Sequence, residues 1–148
     1  MDTTELFAAL RTAFASEYAF LIKTQNAHWN VQGRLFYQDH LLFERIYEEV
    51  GGVIDDFAEN LRKCQCFVPA GLEKMDDLTI IEDWPADDMP AEELYRTLLA
   101  DSDALADLFA AAFDLAEAHH EHGLSNFMAD RQDQHRKHSW MLRASLVA

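Results

Sequence analysis

At 148 residues with 49% apolar side chains, the chain is long enough for one domain with its own core and too apolar to be disordered. Twelve basic residues against 27 acidic ones leave a net charge of −15, the wrong sign for gripping a phosphate backbone. No apolar run reaches membrane-spanning length, and MDTTELFAAL lacks a basic stretch before an apolar one, which excludes a membrane span and argues against a secretory leader. A single domain over residues 1–148, in the cytoplasm, is the expectation.

The first long helix is predicted to start at Asp2 or Thr3, where Asp2-x-x-Glu5 makes a capping box. Phe7, Leu10, Phe14, Tyr18, Leu21, Ile22 and Trp29 form its apolar stripe, with His28 on the stripe's edge. By themselves His28 and Trp29 read as packing residues. Asn30 to Arg34 reads as a turn into an antiparallel second helix from Phe36 to about Cys64. Leu42, Phe43, Ile46, Val50, Val53, Ile54, Phe57 and Leu61 carry its core-facing stripe. Cys64 and Cys66 lack a second pair and read as reduced thiols, and Pro69-Ala70-Gly71 then breaks the chain.

A third long helix begins cleanly at Asp88-Met89-Pro90, with Glu92 and Glu93 complementing its positive end. Leu94, Leu98, Leu105, Leu108, Phe109, Ala112, Phe113 and Ala116 carry it to about Ala118. A link near Gly123 leads to a last helix ending at Ser145, on which His135 and His138 read as plain surface residues. Strand-like alternation and internal repeats are absent. The fold class is all-α, four long helices with one long crossover between the second and third.

The stretch from His28 to Glu59 carries the chemistry. On the second helix His40, Glu44, Glu48, Asp55 and Glu59 gather away from the apolar stripe. Asp55 and Glu59 are four residues apart and can grip one ion. The 15 residues from His40 to Asp55 span about 22 Å of helix, too far for one metal site. His28 can meet His40 across the turn, so the histidines form one half-site and the carboxylates another. A two-fold axis would set the histidine half of one chain against the carboxylate half of its mate. Gly51 and Gly52, weak helix formers lying between the halves, would let a second backbone come close. Mixed imidazole and carboxylate ligands suit iron, zinc or manganese better than calcium or copper(I).

The element HWNVQG from His28, with His40, Asp55 and Glu59 at their spacings, resembles the Dps family of mini-ferritins, as does the tail ADRQDQHRKHSWMLRASL. The resemblance covers essentially the whole chain. It implies a ferritin-like four-helix bundle with a short helix in the long crossover, where Glu73 to Trp84 is similar to the family's connector. It also implies a hollow dodecamer built from dimers, with a di-iron ferroxidase centre at each dimer interface. His28 and His40 would come from one subunit and Asp55 and Glu59 from the other, with Glu44 as an additional acidic position and Trp29 nearby as an acceptor of oxidising equivalents. Ferrous iron and hydrogen peroxide are the implied substrates, and zinc would fit the same donors.

Two departures from the family's pattern stand out. Many Dps proteins condense DNA through lysine- or arginine-rich tails, and neither end of this sequence carries one, so little direct DNA binding is expected. Near the start of the last helix the family usually has an aspartate where this chain has Asn126, and a capping threonine where it has Leu124. His119, His120, Glu121 and His122 read either as exposed histidines favourable to a helix C-terminus or as residues at the family's three-fold pore, where His120, Glu121 and His122 would substitute for the acidic iron-entry path. Glu117-x-x-His120 matches half of the di-iron pattern of larger bundles, and its missing counterpart argues against a site inside each bundle. The rival readings are a nucleoid-binding protein acting by DNA condensation, and a ferroxidase-poor, zinc-binding shell.

Overall fold

Five helices and no strands make up the chain: α1 (Thr4–Asn30), α2 (Phe36–Lys63), α3 (Leu72–Leu78), α4 (Ala91–Ala118) and α5 (His122–Ser145). The computed structural model describes all 148 residues. Short links turn α1 into α2 and α4 into α5, so each pair runs antiparallel, and the two pairs close into a bundle mainly through α1 against α4. The long crossover holds the short helix α3, as the resemblance implied.

The stripe read for α2 buries as expected, with Phe43, Ile46, Val50, Phe57 and Leu61 fully inside. Phe57 is the aromatic hub. Phe14 meets it edge-on at 5.5 Å, and Phe127 and Phe109 lie at 5.2 and 5.9 Å. Each such ring contributes roughly 1.5–3 kcal/mol by leaving water. Along α1 the stripe is less faithful: Leu10 and Phe14 are buried, but Ile22 and Trp29 face solvent, and Leu6 and Phe20 take inner positions. A helix of 27 residues turns through enough of the bundle that one straight stripe does not describe its inner face.

Helix ends also differ in detail. Asp2 Oδ1 accepts the Thr4 N–H at 2.9 Å and its hydroxyl at 2.7 Å, so α1 starts at Thr4 without the reciprocal Glu5 bond of a capping box. Pro90 is the residue just before α4 and not part of its first turn. Gly123 lies inside the first turn of α5, so the α4–α5 link is only residues 119–121 and its reversal is made at His120, which holds φ +59°.

Two hydrogen bonds pin the crossover to α1. The Ile80 N–H donates to Ser16 Oγ at 3.0 Å, the Trp84 indole N–H to the Lys23 carbonyl at 3.0 Å, and Ile81 is buried. Lys23 in turn reaches Asp101 of α4 at 2.9 Å. Cys64 and Cys66 are free thiols, as read from the sequence, and burial pushes their pKa values up.

One expectation is overturned. His135 and His138 are core residues, 0% and 2% exposed. His135 Nε2 lies 2.7 Å from Glu17 Oε1, and Ser102 donates to the His135 carbonyl at 2.9 Å. His138 Nε2 lies 2.8 Å from Glu49 Oε1. Between the two carboxylates sits Arg131, donating from Nε to Glu17 at 3.0 Å and from Nη1 and Nη2 to Glu49 at 2.6 and 3.0 Å. Burial opposes charge on Glu17, yet His135 and Arg131 hold its pKa below the usual range. Glu49 is drawn down to about 2, against its burial, by His138 and Arg131. Burial lowers the His138 pKa, so that ring packs as neutral imidazole. The physical reason for the miss is plain. Leu124, Met128, Arg131, His135, His138 and Leu142 keep the 3–4 spacing of a buried stripe, and acids from α1 and α2 answer its polar members.

Candidate metal centre

His28 occupies the last turn of α1 and His40 the first turns of α2, so the five-residue link folds them face to face. Their rings stack 3.7 Å apart at 13°. His28 Nδ1 lies 2.7 Å from the His40 carbonyl, and His40 Nδ1 lies 2.7 Å from the His28 carbonyl. A carbonyl only accepts, so both Nδ1 atoms carry the proton. Both Nε2 atoms have no protein partner, and in the neutral ring with its proton on Nδ1 each carries the lone pair. That is how metal-ligating histidines are oriented, with the second ring nitrogen tied to a backbone oxygen. Tyr47 packs edge-on against His28 at 5.1 Å, and Phe36 stacks on His40 at 5.0 Å. Glu44, half-buried, lies one turn beyond His40; after desolvation, its charge and that of Glu48 raise the Tyr47 pKa.

Further along α2, Asp55 and Glu59 are exposed and converge with Asp56, one oxygen from each lying within 4.8 Å of the others. Asp56 was missed in the sequence because it adds nothing to the i, i+4 pair, although adjacency to Asp55 puts it on the same outer face. The structure thus joins His28 to His40 and Asp55 to Glu59, and leaves about 22 Å of α2 between the pairs. Between them lie Gly51 and Gly52. A Cβ at Gly51 would meet Leu21 only at ordinary contact, 3.5 Å, and one at Gly52 would meet nothing. Neither glycine is demanded by the chain's own packing.

Residues 7–148 match the ferritin-like domain family. A DNA protection during starvation protein from Helicobacter pylori is 26% identical over 141 residues, 95% of this chain and 98% of that one. A Dps protein from Bacillus brevis superimposes with a TM-score of 0.92 at 27% identity, over 99% of this chain and 100% of that one. The chain is a ferritin-like protein of the Dps family. A further Dps protein, from Vibrio cholerae, belongs to a broad superfamily of ferritin-like diiron-carboxylate proteins and matches at 27% identity and a TM-score of 0.91, covering 99% of this chain and 94% of that one. Membership in the Dps family accounts for the all-α bundle and the helix in its crossover.

Proposed function

We propose that this chain is a ferroxidase, oxidising ferrous iron at a centre built from His28 and His40 of one protomer and Asp55 and Glu59 of its partner. The product is stored as ferric mineral inside a hollow dodecamer. The observation that carries the reading is the reciprocal bonding of His28 and His40, which leaves both Nε2 atoms without a partner in their own chain. Exposed apolar side chains surround the pair. Trp29 and Tyr37 are 65% and 69% exposed, and Phe36 and Leu41 lie beside them in the open, the composition of a surface covered by another protein. The two glycines between the half-sites, one turn before Asp55 and with room for a Cβ that they lack, fit close approach of a second α2.

The donors suit the task. Two neutral imidazoles hold Fe²⁺ without removing its charge, and two carboxylates stabilise the added charge of Fe³⁺, favouring oxidation. In this reading Glu59 would be the candidate to serve both ions, and Glu44 would be an additional acidic group near the histidines. With hydrogen peroxide as oxidant, two ferrous ions each give one electron, the oxygen–oxygen bond breaks, and two protons complete two waters. No hydroxyl radical leaves the site, which is the protective consequence. Zinc would compete for the same four donors. With a net charge of −15 the reading assigns DNA no direct role.

Mixing chains tests the intersubunit claim. H28G/H40G protein and D55A/E59A protein, each assayed anaerobically with Fe²⁺ and peroxide by ferric absorbance, should be nearly inactive. Co-refolded at equal amounts they should recover about a quarter of the parent's sites, because half of random dimers pair unlike chains and each holds one intact centre. Parent-like rates in either variant alone, or no recovery in the mixture, would overturn the assignment.

A further inference from the structure

The turn between α4 and α5 carries a second cluster of donors that the interface centre does not use. Of its histidines, His119 is spoken for. Its Nδ1 faces the Leu115 carbonyl at 2.9 Å and its Nε2 the Asp2 carbonyl at 3.0 Å, contacts that raise its pKa and leave no lone pair outward. His120 and His122 make no such bonds. His122 Nδ1 stands 3.6 Å from Glu117 Oε1, long for a hydrogen bond. It is close to the separation of about 3.4 Å between two donors on one tetrahedral ion with bonds near 2.1 Å. The His120 ring centre lies 6.2 Å from that of His122, wider than the roughly 5.3 Å that two imidazoles on one tetrahedral ion give, so the His120 ring has to swing inward to join. After the Ser125 hydroxyl, the facing His122 and His120 rings hold the Glu117 pKa below its usual range, so the carboxylate is anionic.

The backbone supplies an independent observation. The Glu121 N–H returns to the Ala116 carbonyl at 2.9 Å and the His120 N–H to Glu117 at 3.0 Å, closing α4 in the motif whose left-handed residue is ordinarily glycine. Here that residue is His120, at φ +59°. A strained position held by a residue with an unused ligand atom points to use of that atom.

We propose that Glu117, His120 and His122 form a divalent-cation site at the α4–α5 turn, separate from the interface centre, for a borderline ion such as zinc or ferrous iron. His120 completes the set by side-chain rotation in solvent, while Glu117 and His122 already stand at ligand spacing. Imidazole with carboxylate selects such ions over calcium or magnesium.

The probe is Co²⁺, followed by its visible ligand-field bands and by calorimetry on the assembled protein at pH 7.5. The parent should show two classes of site. H120G and H122A should each weaken one class at least tenfold, while H28G/H40G removes the other class and leaves this one. H120G supplies the internal control: glycine relieves the left-handed residue, so its Tm should rise as its cobalt affinity falls. Parent-like cobalt binding in H120G and H122A, with loss only in H28G/H40G, would overturn this site and leave the interface reading standing.

Discussion

Arg131 offers the sharpest test of how the bundle is held together. Its side chain is 2% exposed and donates three charge-assisted hydrogen bonds, one to a fully buried Glu17 and two to Glu49. Replacing it by methionine keeps the volume and removes the cation, leaving two carboxylates that only His135 and His138 face. Breaking a buried ion pair in this way costs about 3–5 kcal/mol, a large share of the roughly 5–15 kcal/mol that holds a domain folded. At about 2–4 °C per kcal/mol for a chain of this size, Tm should fall by about 6–20 °C. The pH dependence is the decisive part. Without the guanidinium, burial dominates and raises both carboxyl pKa values above their unfolded ones, so the folded variant is favoured at low pH and loses stability as pH rises. Circular-dichroism melts at fixed concentration should therefore show a larger deficit at pH 8 than at pH 5. R131M/E17Q/E49Q should recover part of the loss, since no charge is then stranded. A deficit below about 1 kcal/mol, or the same deficit at both pH values, would mean that the network does not carry the weight assigned to it.

The parent should respond to acid in two stages. His138, whose pKa is depressed by burial, contributes stability that is complete above the ordinary histidine range and is lost as pH falls through and below about 6.5. Glu49, held at about 2, contributes on the order of 3 kcal/mol that disappears as pH falls from the ordinary carboxylate range towards 2. H138F should flatten the first stage in a pH series of melts and leave the second. Gly52→Ala has open space in the chain and should add up to about 1 kcal/mol of helix stability. If a second α2 passes close by, it should also weaken the dimer in sedimentation, and an unaltered dimer would remove the glycine argument. At physiological salt the protein should not retard duplex DNA in a gel, given its charge of −15; clear retardation would require a basic surface that the composition does not suggest.

How much could be read in advance depended on which physical signal each element carries. Helix α2 was legible because Phe43, Ile46, Val50, Phe57 and Leu61 make an apolar inner stripe at helical spacing, broken only by the buried Asp39 and the inward Glu49. Helix α5 was not, because three of its inner positions, Arg131, His135 and His138, are polar residues whose partners lie more than 80 residues away. A hydrophobicity pattern scores them as solvent-facing. Their 3–4 spacing with Leu124, Met128 and Leu142 was there to be seen, as was Glu17 enclosed by Ala13, Phe14, Ala15 and Phe20 of α1. At the proposed metal centre, residue types and spacing pointed to His28, His40, Asp55 and Glu59 as candidate donors. The exchange of Nδ1–H bonds with each other's carbonyls, which frees both Nε2 atoms, is a property of three-dimensional placement. So is the reversal at His120, since a left-handed histidine contradicts the local preference that pointed to Gly123 instead.

The polar interior also bears on why the proposed iron site lies at the surface of this bundle. Ferritin-like bundles that hold metals internally do so with glutamates and histidines from facing helices. Glu17 on α1, Glu49 on α2 and His135 and His138 on α5 are donors of that type, turned inward. The missing second Glu-x-x-His motif was therefore a weak reason to dismiss an internal site, because the donors reach the interior without it. The stronger reason is Arg131. Its guanidinium already bonds both carboxylates, and each imidazole Nε2 is directed at one of those same groups. An entering cation would have to displace a buried positive charge and strand it, at the several kcal/mol that an unpaired ion costs in such a place. At the outer ends of the same helices the opposite holds. His28 and His40 have their inner nitrogens satisfied and their outer ones free, and Asp55, Asp56 and Glu59 crowd negative charge that no cation of the chain neutralises. Electrostatics thus close the core to metal and leave it wanted on the faces that a second protomer would cover.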